Sequence, residues 1–214
     1  MGTNKSKGPK DIFKVLSFGP LNGLAGELQD YRDFSFSSKG NGIYRGSILG
    51  FVKGLRFSSK LIYFLRERLS GTGLEVNWGH ILSPEKHFFS PECDIIIHEA
   101  GVFSRWNGTQ QPVMDFVFVL VEKVKAVISC KSFLRSIDKV YPQTLKKIRI
   151  NKTYLFAECC NKKAYAGLLR KAKEAGYKGL WCLYFVTKPG SFETDEGQYE
   201  DFMATISKEI PKKK

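Results

Sequence analysis

The chain is poor in the side chains that hold transition metals and in the apolar runs that cross membranes. Its three histidines, His80, His87 and His98, stand apart, and none of its five cysteines forms a Cys-x-x-Cys pair, so the usual zinc spacings are missing. No stretch approaches the ~18 uninterrupted apolar residues of a membrane-spanning helix. Lys5, Lys7 and Lys10 lead into no apolar core, so no signal peptide is expected. There is no Gly-rich loop ending in Lys-Ser/Thr to cradle nucleotide phosphates, no Gly-x-Ser-x-Gly elbow, no internal repeat and no low-complexity tract. Acids are short as well: 21 Asp and Glu against 34 Lys and Arg leave a net charge of +13. That excess points to an anionic partner, with nucleic acid the first candidate.

What is present supports one folded domain. A length of 214 residues, 43% hydrophobic and 14% aromatic, supplies a sizeable core, and two full domains would be crowded. Cys93, Cys130, Cys159, Cys160 and Cys182 all sit in apolar company. An odd number of embedded thiols fits free cysteines in a reducing cytoplasm.

Apolar periodicity predicts a long helix over 48–69, with Leu61, Phe64, Leu65 and Leu69 at helical spacing and a firm start at the capping residues Ser58 or Ser59. Strands are expected over 74–82, 93–98, 116–120, 124–132, 153–159 and 180–186, with exposed loops over 30–42 and 101–115. Helices are expected over 132–148, where Pro142 would kink the chain, over 162–175, and over 199–210. Strand and helix alternate from 124 to 186, which argues for parallel pairing through crossover helices. The expected divisions are an irregular basic segment over 1–43, an α/β core over 44–188, and a C-terminal helix with a Lys-rich tail over 189–214.

Two apolar runs carry the chemistry. The first is Cys93-Asp94-Ile95-Ile96-Ile97-His98, and the second ends Val127-Ile128-Ser129-Cys130-Lys131-Ser132. Both are Ile/Val-rich and read as central strands. Asp94 enters one and Lys131 leaves the other, so on neighbouring strands they would converge at one sheet edge. A carboxylate is a hard oxygen ligand for a divalent cation, and an adjacent lysine can steady developing phosphate charge or position a water.

On these residues the chain resembles the PD-(D/E)xK nuclease superfamily, the fold of restriction endonucleases. Ser90-Pro91-Glu92-Cys93-Asp94 is similar to its "PD" strand, and Ser129-Cys130-Lys131 falls where "(D/E)xK" belongs. The stretch 44–134 also resembles a group of bacterial domains in which an Arg-Gly helix start leads to a Ser-x-x-x-Asp strand and then a V-I-E-V-K-S strand. The resemblance implies an α/β (α+β) fold, a central mixed β-sheet flanked by helices with a restriction-endonuclease-like core. It implies Mg²⁺- or Mn²⁺-dependent cleavage of double-stranded DNA, of restriction or phage-defence type, and it allows a homodimer. Asp94, Lys131 and Ser129 would be catalytic. Asp94, the Cys130 backbone carbonyl and Glu158 would hold the metal.

The pattern departs at Ser129, because the superfamily places an acid two residues before the lysine. Where some relatives supply the missing glutamate from a later helix, this chain has Leu145. Glu158, Glu92, Glu99 and Asp138 are the remaining acids, and the alternative reading is a nuclease fold that binds nucleic acid or a protein partner without cutting. From 123 to 152 there are nine Lys/Arg and one Asp, so Arg135, Lys139, Lys146 and Lys147 are candidate phosphate contacts. Arg45, Lys53, Arg56 and Lys60 form a second basic set along the first helix, and Arg105 and Trp106 are candidates in the 101–115 loop.

Overall fold

The computed structural model describes residues 47–101, 104–106, 116–188 and 191–210. The expected tail 1–10, the apolar pieces over 11–29, the loop 30–42, Arg45, most of the 101–115 loop and the closing lysines lie outside them.

Helix α1 (Ser47–Arg68) is followed by β1 (Leu74–Ser83), a 3₁₀ turn, β2 (Phe88–Phe89), β3 (Cys93–Glu99), β4 (Ser104–Trp106), β5 (Phe116–Leu120) and β6 (Val124–Lys131). Then come α2 (Val140–Lys147), β7 (Thr153–Asn161), α3 (Lys162–Ala175), β8 (Leu180–Lys188), β9 (Ser191–Thr194) and α4 (Glu196–Glu209). One nine-stranded mixed sheet runs β4-β5-β1-β3-β6-β7-β8-β9, with β2 added to β1. β1, β3 and β6 pair antiparallel, whereas β6, β7 and β8 are parallel. Parallel strands need a crossover, and α2 and α3 supply the two.

Helices cover both faces. On one, Phe57, Leu61, Ile62 and Leu65 of α1 and Phe202, Met203 and Ile206 of α4 pack on Ile95, Ile97, Ile128 and Phe156. On the other, Leu145 of α2 lies with Ile96 and Val127, and Leu168 and Ala172 of α3 lie with Leu155 and Ala157. Strands covered on both faces read as continuous apolar runs, which is why β3, β6, β7 and β8 stand out in the sequence. The five cysteines are free and buried among the same residues. Among the described residues no helix is long and apolar enough to cross a membrane.

Several expectations are corrected. α1 starts at Ser47, before the serines expected to cap it. The Ser59 hydroxyl instead bonds back to the Arg56 carbonyl at 3.0 Å, and the buried stripe carries the helix through its glycines. The helix expected over 132–148 is only α2. Pro142 sits in its first turn, where a missing N–H costs nothing, and the segment before it crosses over β7, bridging Leu134 to Cys160. The loop expected over 101–115 contains the edge strand β4, which carries Arg105 and Trp106. No structural division falls at 188, because β9 pairs antiparallel with β8 and α4 completes the main core.

At Gly79 the β1 backbone approaches β5 so closely that a Cβ would stand 1.9 Å from the Val117 carbonyl oxygen. Only glycine fits this bulge in the β1–β3 register.

Candidate active site

β3 and β6 are neighbours and antiparallel, with Ile95 opposite Ile128 and Ile96 opposite Val127. One step further, the register sets Asp94 opposite Ser129, at the end of β6 from which Lys131 emerges. Side chains two apart share a face, so Asp94, Ser129 and Lys131 lie on the α2/α3 side. Cys130 points the other way, with its thiol against Ser58 of α1.

Asp94 Oδ2 accepts the Cys130 backbone N–H at 2.8 Å and a long bond of 3.4 Å from the Ser129 hydroxyl. Asp94 Oδ1 accepts no hydrogen bond among the described residues. The half-buried carboxylate is therefore anchored by one oxygen and open at the other. Burial pushes its pKa above the ordinary carboxylate range, and Glu92 acts the same way more weakly. The Cys130 N–H, the Lys131 charge and the Ser129 hydroxyl oppose that rise, in that order. Lys131 is exposed and makes no ion pair among the described residues. Its ammonium acts on Asp94 through space and stays available to an anion.

Two tyrosines close the inner side. Tyr141 follows Val140 at the start of α2, and its hydroxyl is buried beside the Cys93 thiol without a partner in hydrogen-bond geometry among the described residues. Tyr177 follows α3 and is 3% exposed, in the field of Asp138 and Asp94. Burial pushes both phenols up, so both stay protonated. The same burial lifts the Cys93 thiol to about 11, which keeps it a neutral thiol.

The remaining acids separate clearly. Glu158 is buried on β7, one residue past Ala157, which lies beside Lys131 in the β6–β7 register. Glu92 accepts from Trp78 Nε1 at 2.8 Å. Glu99 pairs with Lys125 at 2.7 Å and lies five residues along β3 from Asp94, about 16 Å at the usual strand rise. Asp138 acts on Tyr177, as Asp94 does. Its Oδ1 accepts from the Val140 and Tyr141 N–H groups at 2.8 and 3.2 Å, capping α2. Among the described residues no three His, Cys, Asp or Glu side chains cluster as a metal site.

No family model matches the chain, and no curated protein matches it. Solved structures do. NucC of P. aeruginosa ATCC27853 in its cAAA-bound form superposes with a TM-score of 0.52 at 13% identity, over 92% of this chain and 96% of that one. NucC of E. coli MS115-1, also cAAA-bound, gives 0.50 at 11% identity, over 92% and 95%. NucC is a phage-defence nuclease of the PD-(D/E)xK-like fold. The chain shares the mixed α/β architecture of NucC. At this identity the likeness extends to architecture alone. Nucleases of the fold generally use divalent metals.

The basic candidates divide. Arg135 is exposed with its guanidinium 5.3 Å from the Phe133 ring centre, and Lys139, Lys146 and Lys147 are exposed along α2. Arg56 is a correction: it is 8% exposed, on the core side of α1, and does not offer its charge to a surface. Lys60 is half-buried on the same helix, and the Lys53 side chain lies outside the described residues. His98, considered as a proton shuttle, is fully buried between Asn77 Nδ2 at 2.9 Å and the Glu99 carbonyl at 2.7 Å, far along the strand from Asp94. Sequence reasoning missed Tyr141 and Tyr177. The Gly176-Tyr177 pair closing α3 was the available signal, because a residue just past a helix-ending glycine folds back onto the structure.

Proposed function

We propose that the protein is a metal-dependent endonuclease that hydrolyses phosphodiester bonds of double-stranded DNA, of restriction or phage-defence type. The observation that carries this reading is the shared edge of β3 and β6, where Asp94 Oδ1 accepts no bond and Lys131 makes no ion pair among the described residues, on a basic face.

The residues present suit a hard cation. Mg²⁺ is commonly held by only one or two carboxylates and keeps several waters. Asp94 Oδ1 would hold Mg²⁺ or Mn²⁺, with the Cys130 carbonyl as a neutral donor and Glu92, Asp138 or Glu158 as candidates for a further carboxylate. When bound, the ion supplies positive charge that polarises the phosphate and acidifies water. Lys131 adds a second positive charge where the pentavalent phosphorus centre becomes more negative. Ser129 is a polar neighbour that keeps Asp94 turned outward. Arg135 and Lys139 follow the lysine in the chain and contact DNA phosphates.

A second reading is favoured by a specific observation: Ser129 stands at the position of the motif acid, leaving one certain carboxylate. In that reading the chain binds nucleic acid without cutting it. Incubation of supercoiled plasmid with Mg²⁺ separates the two. The proposal expects nicking that Lys131→Ala abolishes. Nicking unchanged in Lys131→Ala rejects the assignment of Lys131, and a wild-type protein that retards DNA but never nicks it supports the second reading.

A further inference from the structure

The charge of the chain is divided between its two faces. The segment 131–178, which carries α2 and α3, exposes twelve lysines and arginines against two acids, Asp138 and Glu174. The segment 191–210, which carries β9 and α4, reverses the balance with six acids and one lysine. α4 packs on the opposite side of the sheet from α2 and α3. An anionic partner is therefore drawn to one face and repelled at the other.

The phosphate contacts considered so far lie on α2 and just before it, yet α3 carries as much charge. Its lysines and arginine are Lys162, Lys163, Arg170, Lys171 and Lys173, all exposed. Lys162 is engaged by Glu193 of β9. Arg170 stands 3.8 Å from Glu174 in a solvated pair, which holds it weakly. Lys163, Lys171 and Lys173 make no ion pair among the described residues. The helix turns Leu168, Ala172 and Ala175 inward. At 3.6 residues per turn, Lys163 and Arg170 fall on one line opposite that stripe, about 10 Å apart, with Lys171 beside them. No exposed large apolar side chain among the described residues lies on α3. The ridge thus has charge without the apolar anchors that a membrane-surface helix uses.

The topology joins this ridge to the candidate site. β6 and β7 are parallel, with Lys131 beside Ala157. β7 runs on to Asn161, which caps α3 by accepting the Lys163 N–H at 2.9 Å. α3 therefore begins at the sheet edge from which Lys131 emerges and runs back over the face that carries Asp94. Its far end meets α2, where a Cβ on Gly176 would stand 3.9 Å from the Pro142 Cβ. The basic surfaces of the two helices are continuous. α3 is about 21 Å long, which matches about six phosphates of one strand.

We infer that the outer ridge of α3, formed by Lys163, Arg170 and Lys171, binds the phosphate backbone of duplex DNA, so that the substrate crosses α3 as well as α2. The inference rests on the proposed function, because it extends the path of the same substrate away from the cleavage edge.

The test is fluorescence anisotropy of a labelled DNA duplex titrated with the full chain, without divalent metal, at several salt concentrations from about 50 to 200 mM. The variants are Lys163→Gln, Arg170→Gln and Lys171→Gln, singly and combined, with Lys208→Gln on α4 as the control. All four residues are exposed, and thermal melting checks the fold of each variant. Each α3 substitution should reduce the slope of log affinity against log salt by about 0.9, and the combination by about 2.7. The affinity lost across that salt range then shrinks roughly fortyfold in the triple variant. Lys208→Gln should keep the wild-type slope. A triple variant with the wild-type slope overturns the inference, even where the wild type nicks plasmid. So does a Lys208→Gln effect equal to that of the single α3 variants, since net charge alone would then be acting. The expected slopes in a wild type that never nicks plasmid with Mg²⁺ support the ridge and overturn the proposed cleavage. A wild type that binds no duplex overturns both.

Discussion

Replacing Ser129 by Asp returns a carboxylate to the motif position and makes a quantitative demand on the site. The Ser129 hydroxyl lies 3.4 Å from Asp94 Oδ2, so an aspartate there sets two negative charges about 4 Å apart. At an effective dielectric of about 20 their repulsion is about 4 kcal/mol. Protonating one carboxylate relieves it, and at pH 7 that costs about 4 kcal/mol from an ordinary pKa near 4. The two bounds agree, so metal-free Ser129→Asp should be about 2–4 kcal/mol less stable than wild type at pH 7, after some relaxation of the pair. For a chain of this size that lowers the melting temperature by roughly 4–16 °C. The folded-state pKa of the pair is raised, so the deficit must shrink as pH falls toward 4. Mn²⁺ at about a hundred times its dissociation constant should return about 2.7 kcal/mol. Differential scanning fluorimetry at pH 5 and pH 7, with and without Mn²⁺, reads all three effects. A metal-free variant as stable as wild type, or one indifferent to Mn²⁺, would show that positions 94 and 129 do not share a cation-sized gap.

Other expectations follow from the same coordinates. Burial raises the Asp94 pKa, so its charge destabilises the fold above that pKa and not below the ordinary carboxylate range. Asp94→Asn should accordingly melt higher than wild type at pH 7, by an amount that vanishes as pH falls to about 4, and a constant difference across that window would contradict it. Arg135→Glu and Lys139→Glu should each weaken DNA binding and reduce the slope of log affinity against log salt by about one unit, measured by fluorescence anisotropy. An unchanged slope would remove that residue from the interface. Gly79→Ala should cost about 3 kcal/mol or more in urea unfolding, because its Cβ meets the Val117 carbonyl oxygen at 1.9 Å. A loss under about 1 kcal/mol would mean that β1 and β5 can separate freely.

The readable parts of the sequence are those where burial on both faces leaves an unbroken apolar run. β3, β6, β7 and β8 were marked by Ile, Val, Leu and Cys, and α3 by its apolar stripe over 162–175, which ends at Gly176 in a left-handed turn. The pairing of Asp94 with the Lys131 strand followed from the same runs. Short edge strands were hidden. β4 has three residues and β9 four, and their length gives no periodicity to detect. The segment 132–139 carries helix-like apolar spacing but spends it on crossing β7, where Leu134 joins the α3 cluster. Arg56 looked like part of a basic face because composition cannot tell which side of a helix a charge takes when the stripe is wide. Glu158 was picked as an acid on the next strand, and the register sets its neighbour Ala157 beside Lys131. Tyr177 joins the α3-side cluster just past the Gly176 turn, a placement no local window of sequence contains.

The account stands on a cation meeting Asp94 Oδ1 beside Lys131. Crystals soaked in Mn²⁺ and measured at the manganese absorption edge test this directly. The account predicts an anomalous peak about 2 Å from Asp94 Oδ1, on the side facing Lys131 and absent in Asp94→Asn. Ordered density for Asp94 and Lys131 with no peak between them, at Mn²⁺ concentrations that support or exceed those of nuclease assays, would contradict it.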